Sequence, residues 1–487
     1  MQCPVDTNLM INGLACFGGG WQAATEGQSF AVTNPASGEK IGELPKLSAG
    51  DVRTAIRASE QAFASWSALL AAERAQLMKA WHRLILENRE ALAQILTLEQ
   101  GKPLAESRVE IDISAAYIEW FAEEARRVYG DVIPSPARGR QTIVTQHPVG
   151  VTCAITPWNF PASMVTRKLA PALAAGCTML VKPSDRTPFI ALALVRLAEA
   201  AGIPPGVIQV LTGSSREIMR VISDSPVVRK LSFTGSTAVG KDLIAQCAST
   251  VKRMSMELGG NAPVIIFADA DIEAALNGLM ALKFRNAGQT CVCANRIFVH
   301  ESIAGDFARA FVARAEALKS GPGGLPGVEI GPLITPAAAA DMARIVARAL
   351  EQGADLLTGG GEASQDSGFY PPTVLAGVTP EMDVARDEIF GPIAALLSFT
   401  DEDEVIRLAN DTPYGLASYI YTRDLARAWR VSEALQYGMV GINEVAISNE
   451  VAPFGGVKES GFGREGSRYG IAEYLDIKYR CMGGLSA

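Results

Sequence analysis

The stretch VGVTCAITPWNFPASMVTRKLAPALAAGCTMLVK, running from Val149 to Lys182, decides the fold. Its two ends, 149–155 and 178–182, are short apolar runs of the kind that form buried strands. Between them residues 163–175 read as helix, and Gly176 stands where a left-handed C-cap is wanted. Strand, helix and strand in that order make a parallel crossover unit. The alternation continues downstream, with strand-like runs at 207–211 and 229–233 and helical segments at 188–201, 216–223 and 238–250. The expected result is a doubly wound α/β sheet. Ligands of such sheets gather at the carboxyl ends of strands, here residues 156–161, 182–187, 213 and 234–240.

Upstream, Ser48-x-x-Asp51 is a capping signature. It opens an Ala/Leu/Arg-rich helical run expected to continue past Trp66 and Trp81 to Gln100-Gly101-Lys102-Pro103. A further helix is expected over 105–128. Residues 141–146 (QTIVTQ) alternate like an exposed strand. An edge hairpin and a ribbon pairing across a subunit interface both fit that spacing. Downstream, a second alternation places strands at 263–267 and 296–300, helices at 272–284 and 307–318, and later βα units at 393–407 and 416–434. The fold class is therefore α/β, with two α/β domains and a small ribbon.

Composition narrows the function. The chain has 487 residues and a formal net charge of −8, against the basic face that a nucleic-acid binder would carry. Its three histidines, His82, His147 and His300, lie far apart, so no His-rich metal site is expected. Eight cysteines include no C-x2-C pair, and their density is far below that of a disulfide scaffold. The start, MQCPVDTNLMING, has neither a basic nor an apolar leader region, and no run approaches the length of a membrane span. A reduced, soluble, cytoplasmic enzyme that does not depend on histidine is the expectation.

Two glycine motifs mislead. Gly461-Phe-Gly463-Arg-Glu-Gly466 matches G-x-G-x-x-G but follows Lys458-Glu-Ser460, with no apolar strand before it. Gly235-Ser-Thr-Ala-Val-Gly240-Lys241 follows a strand, but position 242 is Asp where a nucleotide hydrolase needs Ser or Thr for magnesium. The turn before that helix can still offer backbone N–H groups to a pyrophosphate. The richest local chemistry is Gly288-Gln-Thr-Cys291-Val-Cys293-Ala-Asn295. A cysteine there can be a nucleophile or merely a buried small hydrophobe. Two other segments give it company: Glu257-Leu-Gly-Gly-Asn261 puts a carboxylate at one strand end, and Thr156-Pro-Trp158-Asn159 an amide at another.

Taken together, ITPWNFP, LVKPSDRTP, FTGSTAVG, MELGGNAP, GQTCVCANR, DEIFGP and APFGGVKESGFGREG resemble the aldehyde dehydrogenase superfamily, in the family's order and over essentially the whole chain. The resemblance implies a nucleophile, Cys291, that adds to the aldehyde as a thiohemiacetal and becomes a thioester once hydride has passed to a nicotinamide. It implies that the Asn159 amide and the Cys291 N–H hold the oxyanion, at roughly 2.7–4 kcal/mol per donor. Glu257 is the implied general base for the hydrolytic water. The implied cofactor surround is Trp158, Lys182, Ser184, Asp185, Gly235, Ser236, Leu258, Glu388 and Phe390. Asp185 favours NAD, whereas Ser184 and Arg186 could meet the 2′-phosphate of NADP, so the lean toward NAD is slight.

The segments Thr166-Arg167-Lys168, Lys283-Phe-Arg285-Asn286 and Ile447-Ser448-Asn449 resemble the succinate-semialdehyde dehydrogenase branch. That implies Arg167, Arg285 and Ser448 as the grip on a distal carboxylate, since guanidinium groups bind such anions through paired, charge-assisted bonds. Glutarate semialdehyde or a sulfonated aldehyde such as sulfolactaldehyde fits the same grip, and Glu444 is expected to alter the pocket's rim or charge. In some relatives a pair such as Cys291 and Cys293 closes a regulatory disulfide. The family architecture implies a dinucleotide-binding domain (1–128 and 148–256), a catalytic domain (257–469) and an oligomerisation β-ribbon (129–147 and 470–487) in a homodimer or homotetramer. The partners expected are a small anionic aldehyde, no nucleic acid and no membrane. A catalytically silent structural member of the fold is the rival, opposed by the intact Cys291, Glu257 and Asn159.

Overall fold

The computed structural model describes residues 9–363 and 367–485. Cys3, the first eight residues, part of the 359–369 stretch and the last two residues lie outside the described residues. The expected crossover forms: strand Val151–Ile155, helix Pro161–Ala175 and strand Thr178–Lys182, with Pro161 in the first helical turn and Gly176 in the left-handed conformation (φ 97°) as C-cap.

The sheet built on this unit runs, across its strands, Gly461–Phe462, Arg253–Glu257, Val228–Thr234, Val151–Ile155, Thr178–Lys182 and Ile208–Val210. Five strands are parallel, and Gly461–Phe462 joins the edge antiparallel. The strand order reverses between Val151–Ile155 and Val228–Thr234, the switch point at which doubly wound sheets bind ligands. Strand alternation divides the core. Val151, Cys153 and Ile155 face one hydrophobic cluster, while Ala154, Met179 and Val181 face the other beneath the N-terminal helices.

A second sheet of seven strands runs Asp355–Thr358, Thr373–Ala376, Ile393–Phe399, Ala294–His300, Ala262–Ile266, Ala417–Tyr421 and Met439–Ile442. All its pairings are parallel except that of Asp355–Thr358 with Thr373–Ala376. A third, antiparallel sheet pairs Asp131–Ile133 and Leu475–Met482 with opposite edges of Gln141–Pro148. Val132, Ile477 and Tyr479 of this ribbon are exposed.

The helical run after Ser48 departs from expectation. The capping box of Ser48 and Asp51 forms, but the run divides into Ala49–Ala68, Ala71–Glu87 and Arg89–Gln100. Leu69 and Leu70 are extended, and the Glu73 carboxylate accepts the Leu70 N–H at 2.7 Å. No Gly or Pro marks that break; an acidic residue three positions on supplies it. Among the described residues no helix is long and apolar enough to cross a membrane, and the described cysteines are all unpaired thiols.

Candidate active site

The carboxyl ends of the first sheet face the loop that precedes strand Ala294–His300 of the second. That loop carries Cys291 and leaves helix Ile272–Phe284 through Asn286 (φ 51°), Ala287 (φ 53°) and Gly288 (φ 74°), all left-handed. Two non-glycine residues in that region are held there by their surroundings. The Asn286 N–H donates to Glu106 at 2.9 Å, and its side-chain Oδ1 accepts from Gln100 at 2.9 Å.

Cys291, Arg167, Arg285 and Ser448 line one cavity of about 280 Å³, with Phe160 and Phe454 among its apolar walls. Arg167 is buried. Its Nη2 donates to Ser448 Oγ at 3.0 Å, and its guanidinium lies over the Phe454 ring at 4.4 Å. Glu465 stands 3.6 Å from Nη1, but neither Nη1 nor Nε has a hydrogen-bond acceptor. Buried guanidinium donors without acceptors are costly unless a ligand supplies them. Arg285 is more exposed and lies 5.3 Å over the Phe160 ring.

Glu444 does not line this cavity. It is exposed, and its carboxylate turns back on its own loop to accept the Val445 and Ala446 N–H groups at 2.7 and 2.8 Å. The expected change to the pocket's rim is thus absent, because the turn consumes the carboxylate locally. Cys293 also stays outside. It is buried, with its thiol toward the carbonyls of Lys283 and Ala294 at 3.7 and 3.8 Å, whereas Cys291 is half-buried on the cavity.

Glu257 ends its strand with both carboxylate oxygens buried and unpartnered. Burial, and then the Glu465 carboxylate, push its pKa well above the usual carboxylate range, against the pull of Lys168 and Arg167. Lys168 is paired with Glu465 and donates to Ser232 at 3.0 Å. Burial pushes the Cys291 thiol up to about 12, with the Glu388 and Glu257 carboxylates adding to the rise. Asn159 is buried. Its Nδ2 donates to the Gln289 carbonyl at 3.0 Å, which leaves a second N–H on that nitrogen.

A second cleft, of about 760 Å³, includes Trp158, Gln289, Glu388 and Phe390. The Trp158 and Phe390 rings meet edge to face with centroids 5.5 Å apart. Glu388 accepts the Gly260 N–H at 2.9 Å and is pushed up to about 7 by burial, the Gly260 N–H opposing that rise. The other expected cofactor residues do not line this cleft but stand at strand ends of the first sheet. Lys182 is buried and donates to Pro183 O at 2.6 Å and Asp185 Oδ1 at 2.8 Å. Asp185 also takes the Gly213 N–H at 3.3 Å, and Ser184 Oγ the Arg186 N–H at 3.2 Å. Ser236 caps helix Thr237–Cys247, and a Cβ on Gly235 would come within 2.5 Å of the Phe233 ring. Leu258 packs beneath that helix, where a Cβ on Gly240 would approach it to 2.5 Å.

The G-x-G-x-x-G match has a different use. Gly461 pairs with Glu257 at the sheet edge, where a Cβ would lie 1.9 Å from the Met256 carbonyl. Its glycines allow chain to pack on the strand that carries Glu257. Sequence reasoning passed over Lys102, Glu106, Glu110, Lys168, Gln289 and Glu465. Glu106 and Glu110, four apart on helix Leu104–Glu124, were the one visible signal of a polar stripe turned inward. Among the described residues, no cluster of three or more His, Cys, Asp or Glu could hold a metal ion.

A profile of the Aldehyde dehydrogenase family matches residues 21–479. The chain is 56% identical over 465 residues to 3-sulfolactaldehyde dehydrogenase of Pseudomonas putida, covering 96% of each chain. It is 52% identical over 478 residues to the NADP(+) succinate-semialdehyde dehydrogenase GabD of Escherichia coli (strain K12), covering 98% of this chain and 99% of that one. The crystal structure of succinate-semialdehyde dehydrogenase from Burkholderia pseudomallei superposes with a TM-score of 0.97 at 54% identity, covering 98% of this chain and 99% of that one. With the fold matched and the family profile covering residues 21–479, this chain belongs to the aldehyde dehydrogenase family.

Proposed function

We propose that the chain oxidises a short aldehyde bearing a distal anion to the corresponding acid, with succinic semialdehyde as the substrate and Cys291, Glu257 and Asn159 as the catalytic residues. The observation that carries this reading is Arg167, a buried residue with two nitrogens lacking acceptors that lines the same cavity as Cys291. Arg285 and Ser448 complete the grip. A sulfonated aldehyde is the second reading, favoured by the 56% identity to the Pseudomonas putida enzyme, since guanidinium donors accept sulfonate as well as carboxylate. Glutarate semialdehyde fits the same grip at greater length.

The residues present fit a nicotinamide dinucleotide. The hydroxyls of Thr156 and Thr234, at the strand ends flanking the switch point, are buried without partners. Trp158, Lys182, Ser184, Asp185, Gly235, Ser236, Leu258, Glu388 and Phe390 would hold it. When bound, the dinucleotide supplies the electron-pair acceptor for the oxidation. Either NAD or NADP is accommodated: Asp185 is engaged by Lys182 and Gly213 rather than free to repel a 2′-phosphate.

In this reading the Cys291 thiol passes its proton by way of the Glu257 carboxylate to solvent, and the thiolate sulfur adds to the aldehyde carbon. The Asn159 side-chain N–H and the Cys291 backbone N–H stabilise the charge that develops on oxygen. Arg167 and Arg285 hold the far anion so that the carbonyl is presented to sulfur. After oxidation to the thioester, Glu257 takes a proton from water, which attacks the acyl carbon and releases the acid and the Cys291 thiolate. A carboxylate that burial has made a better base suits that step.

Across a panel of succinic, glutaric, sulfonated and uncharged aldehydes, an anionic aldehyde gives the highest kcat/KM with either nucleotide. Arg167→Met lowers kcat/KM for that anion by about 10- to 150-fold, the worth of a charged hydrogen bond, and leaves an uncharged aldehyde nearly unaffected. An uncharged aldehyde that outperforms the anions overturns the reading. Alkylation of Cys291 by iodoacetamide in the free enzyme rises roughly tenfold per pH unit between pH 7 and 9, because its pKa lies above that window. A plateau below pH 8 contradicts this. The reference is Cys291→Ala, which loses aldehyde oxidation but still binds nucleotide.

The exposed apolar residues of the ribbon support an intersubunit contact and a homodimer or homotetramer. Ile477→Asp is expected to shift the mass in light scattering toward the 51.6 kDa protomer. An unchanged mass places the contact elsewhere.

A further inference from the structure

The Gln100-Gly101-Lys102-Pro103 stop between two N-terminal helices lies directly under the proposed oxyanion site. Lys102 is fully buried, and its Nζ donates to the Asn159 main-chain carbonyl at 2.7 Å and to Glu110 at 2.6 Å. Glu110 uses its other oxygen to accept the Ala162 and Ser163 N–H groups at 2.9 and 3.2 Å, at the start of the helix that carries Arg167. The same Asn159 carbonyl accepts Asn286 Nδ2 at 3.0 Å.

The ring then closes through Gln289. Gln289 Nε2 donates to the Asn286 carbonyl at 3.0 Å, and the Gln289 carbonyl accepts Asn159 Nδ2 at 3.0 Å. The orientation of the Asn159 amide and the path of the Cys291 loop are therefore tied to each other at one carbonyl oxygen. Among the described residues Lys102 is the only charged donor on that oxygen. Gln100 braces the arrangement from the same turn, accepting the Lys102 N–H at 2.9 Å and donating to Asn286 at 2.9 Å.

We propose that Lys102 is a positioning residue of the reaction: its ammonium on the Asn159 carbonyl sets the register between the Asn159 amide and the sulfur of Cys291. The inference rests on the proposed role of Asn159 as oxyanion donor. Lys102 itself lines neither the cavity nor the second cleft, and besides Glu110 and the Phe160 ring, which do line the cavity, its polar contact is the Asn159 carbonyl, the route by which it acts on turnover. Oxyanion donors act only when aimed at the developing charge, and displacements of about 1 Å cost on the order of 100-fold.

The test is a double-mutant cycle in the full-length enzyme with succinic semialdehyde and each nucleotide. Lys102→Met is made in the native background and in Asn159→Ala, which keeps the main-chain carbonyl but removes the amide. The expected result is a kcat loss of about tenfold or more in the native background. In Asn159→Ala the further loss stays below about twofold, and KM for both substrates is little changed throughout. Equal losses in the two backgrounds, or a loss confined to KM, overturn the proposal and leave Lys102 a structural residue. If Asn159→Ala itself retains full turnover, the oxyanion reading fails instead. Should Lys102→Met not fold, Lys102→Gln, which keeps an N–H donor without the charge, carries the same cycle.

Discussion

Burial of helix Pro161–Ala175 on every side is the constraint on which the site depends. All fifteen of its residues are buried, including Arg167 and Lys168. A charge in such a place must be paired or hydrogen-bonded, because desolvation otherwise costs several kcal/mol. Lys168 meets that requirement with Glu465 and Ser232, and Arg167 meets it in part with Ser448. The free N-terminal N–H groups of the helix are met by Glu110 and its C-terminus by Gly176. What is left without acceptors is Nε and Nη1 of Arg167, a residue that lines the cavity of Cys291.

The same logic separates the two carboxylates that flank the sulfur. Glu388 is anchored by the Gly260 N–H, whereas Glu257 has no donor and sits near a second acid, Glu465. Both are raised by burial, and Glu257 the more so for that like charge. One carboxylate is held in place by a main-chain donor; the other has none. In the proposed mechanism this division lets a chain with three histidines carry acid–base chemistry on a carboxylate.

Much of the frame was legible in the residues. The switch-point sheet follows from apolar runs of strand length separated by helical ones, and Gly176, Ser48 and Asp51 cap where their chemistry says they should. The break at Leu69–Leu70 was not legible, since its cause is a glutamate carboxylate rather than a Gly or Pro. Arg167, Arg285, Ser448 and Cys291 were named from local segments, and they line one cavity. Glu444 was misjudged because nothing in its neighbours' identities tells that its own turn will absorb the carboxylate.

By itself the sequence determined what short-range chemistry can encode: strand and helix periods, caps, the crossover order, the family and the reactive residue types. Tertiary structure alone decided the partners. Ser448 reaches Arg167 across 281 residues of chain, Glu465 reaches Lys168 across 297, and Lys102 reaches the Asn159 carbonyl across 57. Desolvation acts on whichever groups packing brings into one dry volume, and no local pattern records that membership. The raised Glu257 carboxylate, the half-satisfied guanidinium and the braced amide are all consequences of that enclosure.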